Sequence, residues 1–354
     1  MPKLAIHRLP MAHPGDLSAL AELIAAGGVR AGDIRAVIGK TEGNGGLNDF
    51  TRGYFTQSLM LLLAQQTGEG AAGLAARIPC VLSGGTEGAL SPHYLVFAVG
   101  PVQAGTRGLA LGTAFSPPTP AAGIGRDAQI GAVARAVREA MADAGIAQAR
   151  DVVLVQVKAP CAQAPGPEAR SSDPRLLMAL SRAAAALGVG LALGDIAQAA
   201  EHDLLRDFAL YCNRASVSSG VEVTANEVVV FGHAEGWAPG LHAGVAPMAD
   251  LLDLEGVAAA FRAAGLDAAP SVPALQRDRV LGVIAKGEPQ RGGAIRGARH
   301  TMLGDTDLDA QRHLRGALGA IVASVAGHGQ VFVSGGAEHQ GPPGGGLVCV
   351  FARA

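Results

Sequence analysis

Charge is scarce in this sequence. Asp, Glu, Lys and Arg make up 16% of 354 residues and nearly cancel, leaving a formal net charge of −2. That argues against electrostatic capture of nucleic acid or of an anionic membrane surface. Cysteine is equally sparse. Cys80, Cys161, Cys212 and Cys349 form no CxxC pair, which argues against a zinc site and a disulfide framework. Aromatic residues contribute only 4%. Every candidate run of about 20 apolar residues is broken by Gly, Pro or charge, and MPKLAIHRLPMAHPGD lacks the apolar stretch of a secretory signal. A soluble, cytoplasmic protein is expected.

Apolar residues reach 49% and glycine 50 positions, enough for a sizeable core in which backbones approach closely. The chain also repeats itself. Three apolar runs end in lysine: IRAVIGK at Lys40, VVLVQVK at Lys158 and VLGVIAK at Lys286. Each reads as a short buried strand. A helical pattern ending at glycine precedes each run, and a second helical segment carrying an arginine follows: Arg52, Arg182 and Arg315. Then comes Ser-(Gly/Ser)-Gly-x-Glu, starting at Ser83, Ser218 and Ser334, and a closing strand. The order strand, helix, Lys-strand, Arg-helix, Ser-strand, strand predicts three αβ units at 1–103, 107–238 and 241–354. Linkers are expected at 101–106 and 234–243. Units of this length exceed solenoid repeats, and three of them suggest a closed pseudo-threefold arrangement around one axis.

Lys, Ser and Arg in the same order three times point to one shared site. The Lys-to-Ser separations of 43, 60 and 48 residues fit loops of different length on one frame. A serine hydroxyl needs an adjacent base, and a lysine made neutral by burial or by nearby cations can serve. Backbone N–H groups of Gly84 and Gly335, with Ser219 at the matching place in the middle unit, are candidate donors to carbonyl oxygens or to an oxyanion. The nucleophile of the middle unit is Ser218 or Ser219; aligning Ser-x-Gly-x-Glu selects Ser218. The third arginine is Arg315 or, one turn away, Arg312. His93 and His339 flank two of the motifs but recur in no Ser-His-Asp order, so Ser-Lys ranks above Ser-His. GGTEG and PPGGGL precede no GK[ST], and GIGRDAQIG (123–131) is not GxGxxG, so no nucleotide loop is read.

GKTEGNGGLNDFTRGY (39–54), SGGTEGALSPH (83–93), VQVKAP (155–160), RGARHTMLGDTD (296–307) and VSGGAEHQGPPGGG (333–346) resemble the cyclic amide hydrolases comprising cyanuric acid hydrolase and barbiturase. The resemblance spans essentially the whole chain, and EGNGGLND is more like the cyanuric acid branch. It implies an α/β fold of three similar units around a pseudo-threefold axis, with a planar cyclic imide bound at the centre. Ser218 as nucleophile and Lys158 as base would open cyanuric acid to carboxybiuret, then biuret and CO2. Lys40 with Ser83 and Lys286 with Ser334 would bind the other carbonyls beside Arg52, Arg182 and Arg315. The alternatives are barbiturate opening to ureidomalonate and a non-catalytic small-molecule scaffold. The resemblance also implies a structural Mg²⁺ or Ca²⁺ on Glu288 and oxygens of Ala337, Gln340, Gly341, Pro342 and Gly345, no organic cofactor, and a homo-oligomer, a tetramer. The connection after Lys158, APCAQAPGPEARSSDPRLL, is short beside the family's pattern.

Overall fold

The computed structural model describes residues 1–101 and 105–354. The first unit runs β1 (Pro2–Pro10), α1 (Ser18–Ala25), β2 (Ile34–Thr41), α2 (Thr51–Thr67), a short α3 (Ala71–Ala75), β3 (Cys80–Gly84) and β4 (His93–Pro101). The second runs β5 (Arg107–Pro118), α4 (Asp127–Ala144), β6 (Val152–Pro160), α5 (Pro174–Leu193), β7 (Ala215–Gly220) and β8 (Ala225–Glu235). The third runs β9 (Leu241–Met248), α6 (Leu254–Ala263), β10 (Val280–Gly287), a small hairpin β11 (Ala294–Ile295) and β12 (Ala298–Arg299), α7 (Ala310–Ala326), β13 (Phe332–Gly335) and β14 (Gly346–Arg353). Residues 102–104 of the first expected linker lie outside the described residues. The second linker is shorter than expected, because β8 reaches Glu235 and β9 starts at Leu241.

The helix punctuation is legible residue by residue. Asp173, Asp253 and Asp309 cap α5, α6 and α7 by accepting from the N–H groups of Arg175, Gly256 and Gln311. The six main helices stop at Gly27, Gly68, Gly145, Gly194, Gly265 and Gly327, all with positive φ. Contrary to the reading of interrupted apolar runs, α5 is a 20-residue helix long and apolar enough to cross a membrane. It is instead mostly buried, packed on α4 and β7.

Each four-stranded sheet has the same strand order: β1-β4-β2-β3, β5-β8-β6-β7 and β9-β14-β10-β13. The Lys-strand always pairs in parallel with the Ser-strand, and the register is identical: Lys40 opposite Ser83, Lys158 opposite Ser218, Lys286 opposite Ser334. Both faces of these strands are buried, so side chains alternate between two cores. Val37, Leu82, Tyr94 and Val96 pack with α2 residues such as Phe55 and Leu59. The other face carries Ile38 and Val81 into a core shared with Ile284, Phe332 and Leu154 of the other units. There Phe97, Phe231 and Phe351, one from the closing strand of each unit, meet with ring centroids 4.8–5.6 Å apart. These rings mark the pseudo-threefold axis.

The units are clamped cyclically by charge. Arg52 of the first pairs with Glu222 of the second at 2.8 Å. Arg182 of the second pairs with Glu338 of the third, through Nε at 2.8 Å and Nη2 at 2.7 Å. Arg315 of the third pairs with Glu87 of the first at 2.8 and 2.6 Å. Glu87, Glu222 and Glu338 are the last residues of the three Ser-x-Gly-x-Glu motifs. The motif glycine is required because a side chain would strike the clamp: a Cβ would lie 2.7 Å from Arg315 at Gly85, 2.0 Å from Glu222 at Gly220 and 2.5 Å from Arg182 at Gly336.

Burial alone would raise the Glu338 pKa, but the charge and hydrogen bonds of Arg182 outweigh it and hold the carboxyl below its usual range. A carboxylate with a depressed folded pKa contributes stability that is full above its unfolded value of about 4.3 and is lost as pH falls through the folded value. Glu338→Gln leaves Arg182 without its counter-charge and is expected to cost about 3–5 kcal/mol in denaturant unfolding near neutral pH. The gap between wild type and variant should narrow as pH drops below about 4. A constant gap down to acid would show that the clamp does not titrate with folding.

Candidate active site

The common register brings the predicted residues to one cavity on the axis. Ser83, Gly84, Ser218, Ser219, Ser334, Gly335, Arg52, Arg182, Arg315 and Lys158 line it, with Gly45, Leu82 and Met178. Lys40 and Lys286 stand behind their serines, fully buried. Lys40 Nζ donates to Ser83 Oγ at 3.3 Å and to the Gly84 carbonyl at 3.1 Å. Lys286 Nζ donates to Ser334 Oγ at 3.0 Å and to the Gly335 carbonyl at 3.0 Å. Ser218 is the equivalent of Ser83 and Ser334 by register, whereas Ser219 matches Gly84 and Gly335 and donates to the Met178 carbonyl at 3.0 Å. Arg315 is the buried arginine that lines the cavity. Arg312 also reaches Glu87, at 3.1 Å, but its side chain is 42% exposed.

The middle unit breaks the pattern. Lys158 Nζ does not hydrogen-bond to Ser218. It donates to the Leu82 carbonyl of the first unit at 2.8 Å and pairs with Glu222 at 2.5 Å. Ser218 Oγ lies 3.2 Å from Ser334 Oγ, which is itself held by Lys286. The residue facing the lysine across the closing strand also differs: His93, Glu227 and Leu347 in turn. Glu227 accepts from the Cys80 N–H at 2.8 Å, so Lys158 and Glu227 together satisfy the free edge of β3.

Electrostatics follow this asymmetry. Burial pushes the Lys40 and Lys286 pKa values well below the ordinary lysine value, helped by Arg315 and Arg182 respectively. Burial also lowers Lys158, but Glu222 opposes it and the pKa stays at about 8. Glu227 is raised to about 8 by burial. His93 and His339 do not line the cavity: His93 bonds to the Ser91 carbonyl and is pushed down to about 3 by burial, and His339 is tied to Leu210 and Leu205.

The residues expected around a cation lie apart from the cavity, in the loop between β13 and β14 and beside it. Glu288 accepts from the Gly344 N–H at 3.1 Å, donates its own N–H to the Gly345 carbonyl at 3.1 Å, and pairs with Arg291 at 2.7 Å. Gln340 Oε1 accepts from the Val217 N–H at 2.6 Å, so the loop braces the strand that carries Ser218, not only the one that carries Ser334. Ala337 and Pro342 carbonyls accept from Gln340 and Gly345 in turns, and Gly341 has a φ of 122°. Among the described residues, no cluster of three or more His, Cys, Asp or Glu forms a metal site. The short connection after Lys158 lines no part of the cavity; Gln163 ties it to the Leu47 carbonyl at 3.1 Å.

Sequence reasoning missed the three glutamates as functional parts, although each stood at the end of a repeated motif. It also missed Glu227, which lies in the apolar run NEVVVFGHA and shows its role only through pairing.

The family model described as "Amidohydrolase ring-opening protein (Amido_AtzD_TrzD)" matches residues 5–353. A cyanuric acid amidohydrolase of Azorhizobium caulinodans is 45% identical, with 99% of each chain covered. A solved cyanuric acid hydrolase, described as an evolutionary innovation by structural concatenation, superposes with a TM-score of 0.94 at 41% identity over 100% of both chains. A second, from A. caulinodans, gives 0.91 at 43% identity over 100% of this chain and 99% of that one. With the three-unit fold and the tripled Lys-Ser-Arg cavity in place, these likenesses show that the chain belongs to the ring-opening amidohydrolase family.

Proposed function

We propose that this enzyme hydrolyses cyanuric acid, opening the ring to carboxybiuret, which loses CO2 to give biuret. The observation that carries the reading is the cavity: equivalent serines and arginines from three units surround one space, matching a planar ring with three equivalent carbonyls. Relatives named for cyanuric acid along the whole chain support the same substrate. Ser83 with Lys40 and Ser334 with Lys286 hold two carbonyls, with the arginines beside them. Ser218 Oγ attacks the third carbonyl carbon while Lys158 takes its proton. The tetrahedral oxyanion is held by backbone N–H groups and guanidinium charge. Collapse breaks the ring C–N bond, and the leaving nitrogen takes the proton from Lys158. Water, deprotonated by Lys158, then releases the acyl group from Ser218.

For this step Lys158 must leave the Leu82 carbonyl and turn to Ser218, a change typical of a site tightening around substrate. The chain Ser218–Ser334–Lys286 favours a second proton route, so the lysines must be compared. Ser218→Ala is expected to abolish turnover with the fold intact. Lys158→Ala should lower kcat by about 10²–10⁴-fold, and Lys286→Ala should act more on KM. Because the base works unprotonated, kcat/KM in wild type should rise with pH through about 8. Near-normal kcat in Lys158→Ala beside a collapse in Lys286→Ala would move the base to the third unit.

Substrate choice gives a second test. Barbiturate replaces one ring N–H by CH2 and leaves one acceptor in the site unpaired, at about 1–3 kcal/mol. Cyanuric acid should therefore be preferred by about 10–100-fold in kcat/KM, followed as biuret against ureidomalonate. A preference for barbiturate would overturn the assignment.

We further propose that a divalent cation, Mg²⁺ or Ca²⁺, binds Glu288 with oxygens of Ala337, Gln340, Gly341, Pro342 and Gly345. Oxygen-only donors with one carboxylate suit a hard ion, and the backbone links between Glu288 and the loop bring the donors together. The ion would replace Arg291 as the counter-charge of Glu288. Its part is structural: it orders a glycine- and proline-rich loop that braces β7. Glu288→Gln or exhaustive chelation is expected to lower the melting temperature and weaken substrate binding. An unchanged melt in chelator, with no Mg²⁺ or Ca²⁺ in metal analysis, would leave the loop ordered by protein contacts alone.

A further inference from the structure

One layer beneath the Lys-Ser pairs, the three units are unequal. Two residues back along each strand lies the same axis-facing position. In the first unit it holds Ile38 opposite Val81, and in the third Ile284 opposite Phe332. In the second unit it holds Gln156 opposite Ser216. Both side chains are fully buried, at 0% exposure. Neither amide atom of Gln156 and not the Ser216 hydroxyl has a hydrogen-bond partner among the described residues. Two polar groups on facing strands, buried and unpartnered where the sister units are apolar, are costly to keep and ask for a ligand.

We propose that Gln156 and Ser216 hold a buried water directly behind Lys158 and Ser218, and that this water is a working part of the middle unit alone. The carboxamide supplies a donor and an acceptor and the hydroxyl either, so residues paired on adjacent strands offer a water the polar partners it needs. Two residues further back Leu154 lies opposite Phe231 of the Phe97, Phe231 and Phe351 cluster, so the layer below is apolar, and the layer above holds Lys158, Ser218 and Glu227. The water solvates the Lys158 ammonium as it forms on taking the Ser218 proton, inside a core that otherwise penalises charge. Lys40 and Lys286, over Ile-Val and Ile-Phe floors, lack that support. The inequality of the floors thus accounts for chemistry falling to the middle dyad of three. Gln156 and Ser216 are positioning residues here, and their role in turnover rests on the proposed function.

The test pairs a structure with a swap. A high-resolution crystal structure of the wild-type protein is expected to show an ordered water bonded to both Gln156 and Ser216. The double variant Gln156→Ile/Ser216→Val gives the middle unit the kind of floor its sisters have. It should hold or raise the melting temperature, keep KM for cyanuric acid, and lose about 10–100-fold in kcat, a share of what proton transfer supplies. Gln156→Met/Ser216→Ala, smaller in its demands on packing, serves if the first variant does not fold. A purely structural pair would give a stable variant with unchanged kcat, and that result overturns the working role. Density showing Gln156 and Ser216 bonded to protein groups with no water overturns the site itself. Failure of the wild type to open cyanuric acid would sink the substrate assignment, while the water is still decided by the crystal structure.

Discussion

Three arginine–glutamate pairs, removed from bulk water, join each unit to the next, and the cavity exists only because all three close the ring. A guanidinium taken out of water must keep its carboxylate, since neither charge can be left alone in a low-dielectric interior. Arg182 and Arg315 meet theirs in two parallel contacts each, which sets direction as well as distance. The same guanidinium groups form the cavity wall. Assembly of the units and shaping of the site are therefore one event. Gly85, Gly220 and Gly336 are small because the clamp passes over them.

The threefold plan is broken in one unit, and the breaks coincide. Glu222 must serve both Arg52 and Lys158, so the first clamp is a single contact where the others are double. Lys158 is consequently the lysine with a carboxylate partner, and it reaches over the edge of the neighbouring sheet instead of bonding its own serine. Glu227 and the Gln156–Ser216 pair add polarity to the same unit. A perfectly symmetric site would bind a symmetric ring in three equal ways. Polarity concentrated in one unit removes that equivalence and, under the proposed mechanism, would favour the carbonyl beside Ser218.

What could be read from the sequence was whatever is local. An apolar run closed by lysine, a helix stopped by glycine and a Ser-x-Gly-x-Glu turn each carry their own physical signature, so the order of elements and the Lys-Ser pairs were legible. Strand register was implied too, once Ser218 was chosen by aligning the motifs. The unreadable part lay in contacts between units. Nothing near Glu338 in the chain points to Arg182, 156 residues away. The substitution of Gln156 into VVLVQVK is one letter in a strand, and its meaning appears only against Ile38 and Ile284 at the same depth. The bond from the Val217 N–H to Gln340 likewise links the Ser218 strand to the last loop across 123 residues.

The pairing of the outer strands has a consequence for how such a chain is wired. Pro2 lies opposite Pro101, Arg107 opposite Glu235, and Leu241 opposite Arg353. Each unit therefore finishes beside the place where it starts, and passing from one to the next needs only a few residues. Pro2 and Ala354 both meet the same link, through bonds to Ala238 and Gly240. Strand pairing, clamps and cavity would be indifferent to which junction is left open, because so short a closure changes little chain entropy. The covalent order of the three units is thus only loosely tied to the ring they form, and a circularly permuted connection through the same junctions would thread an unchanged fold.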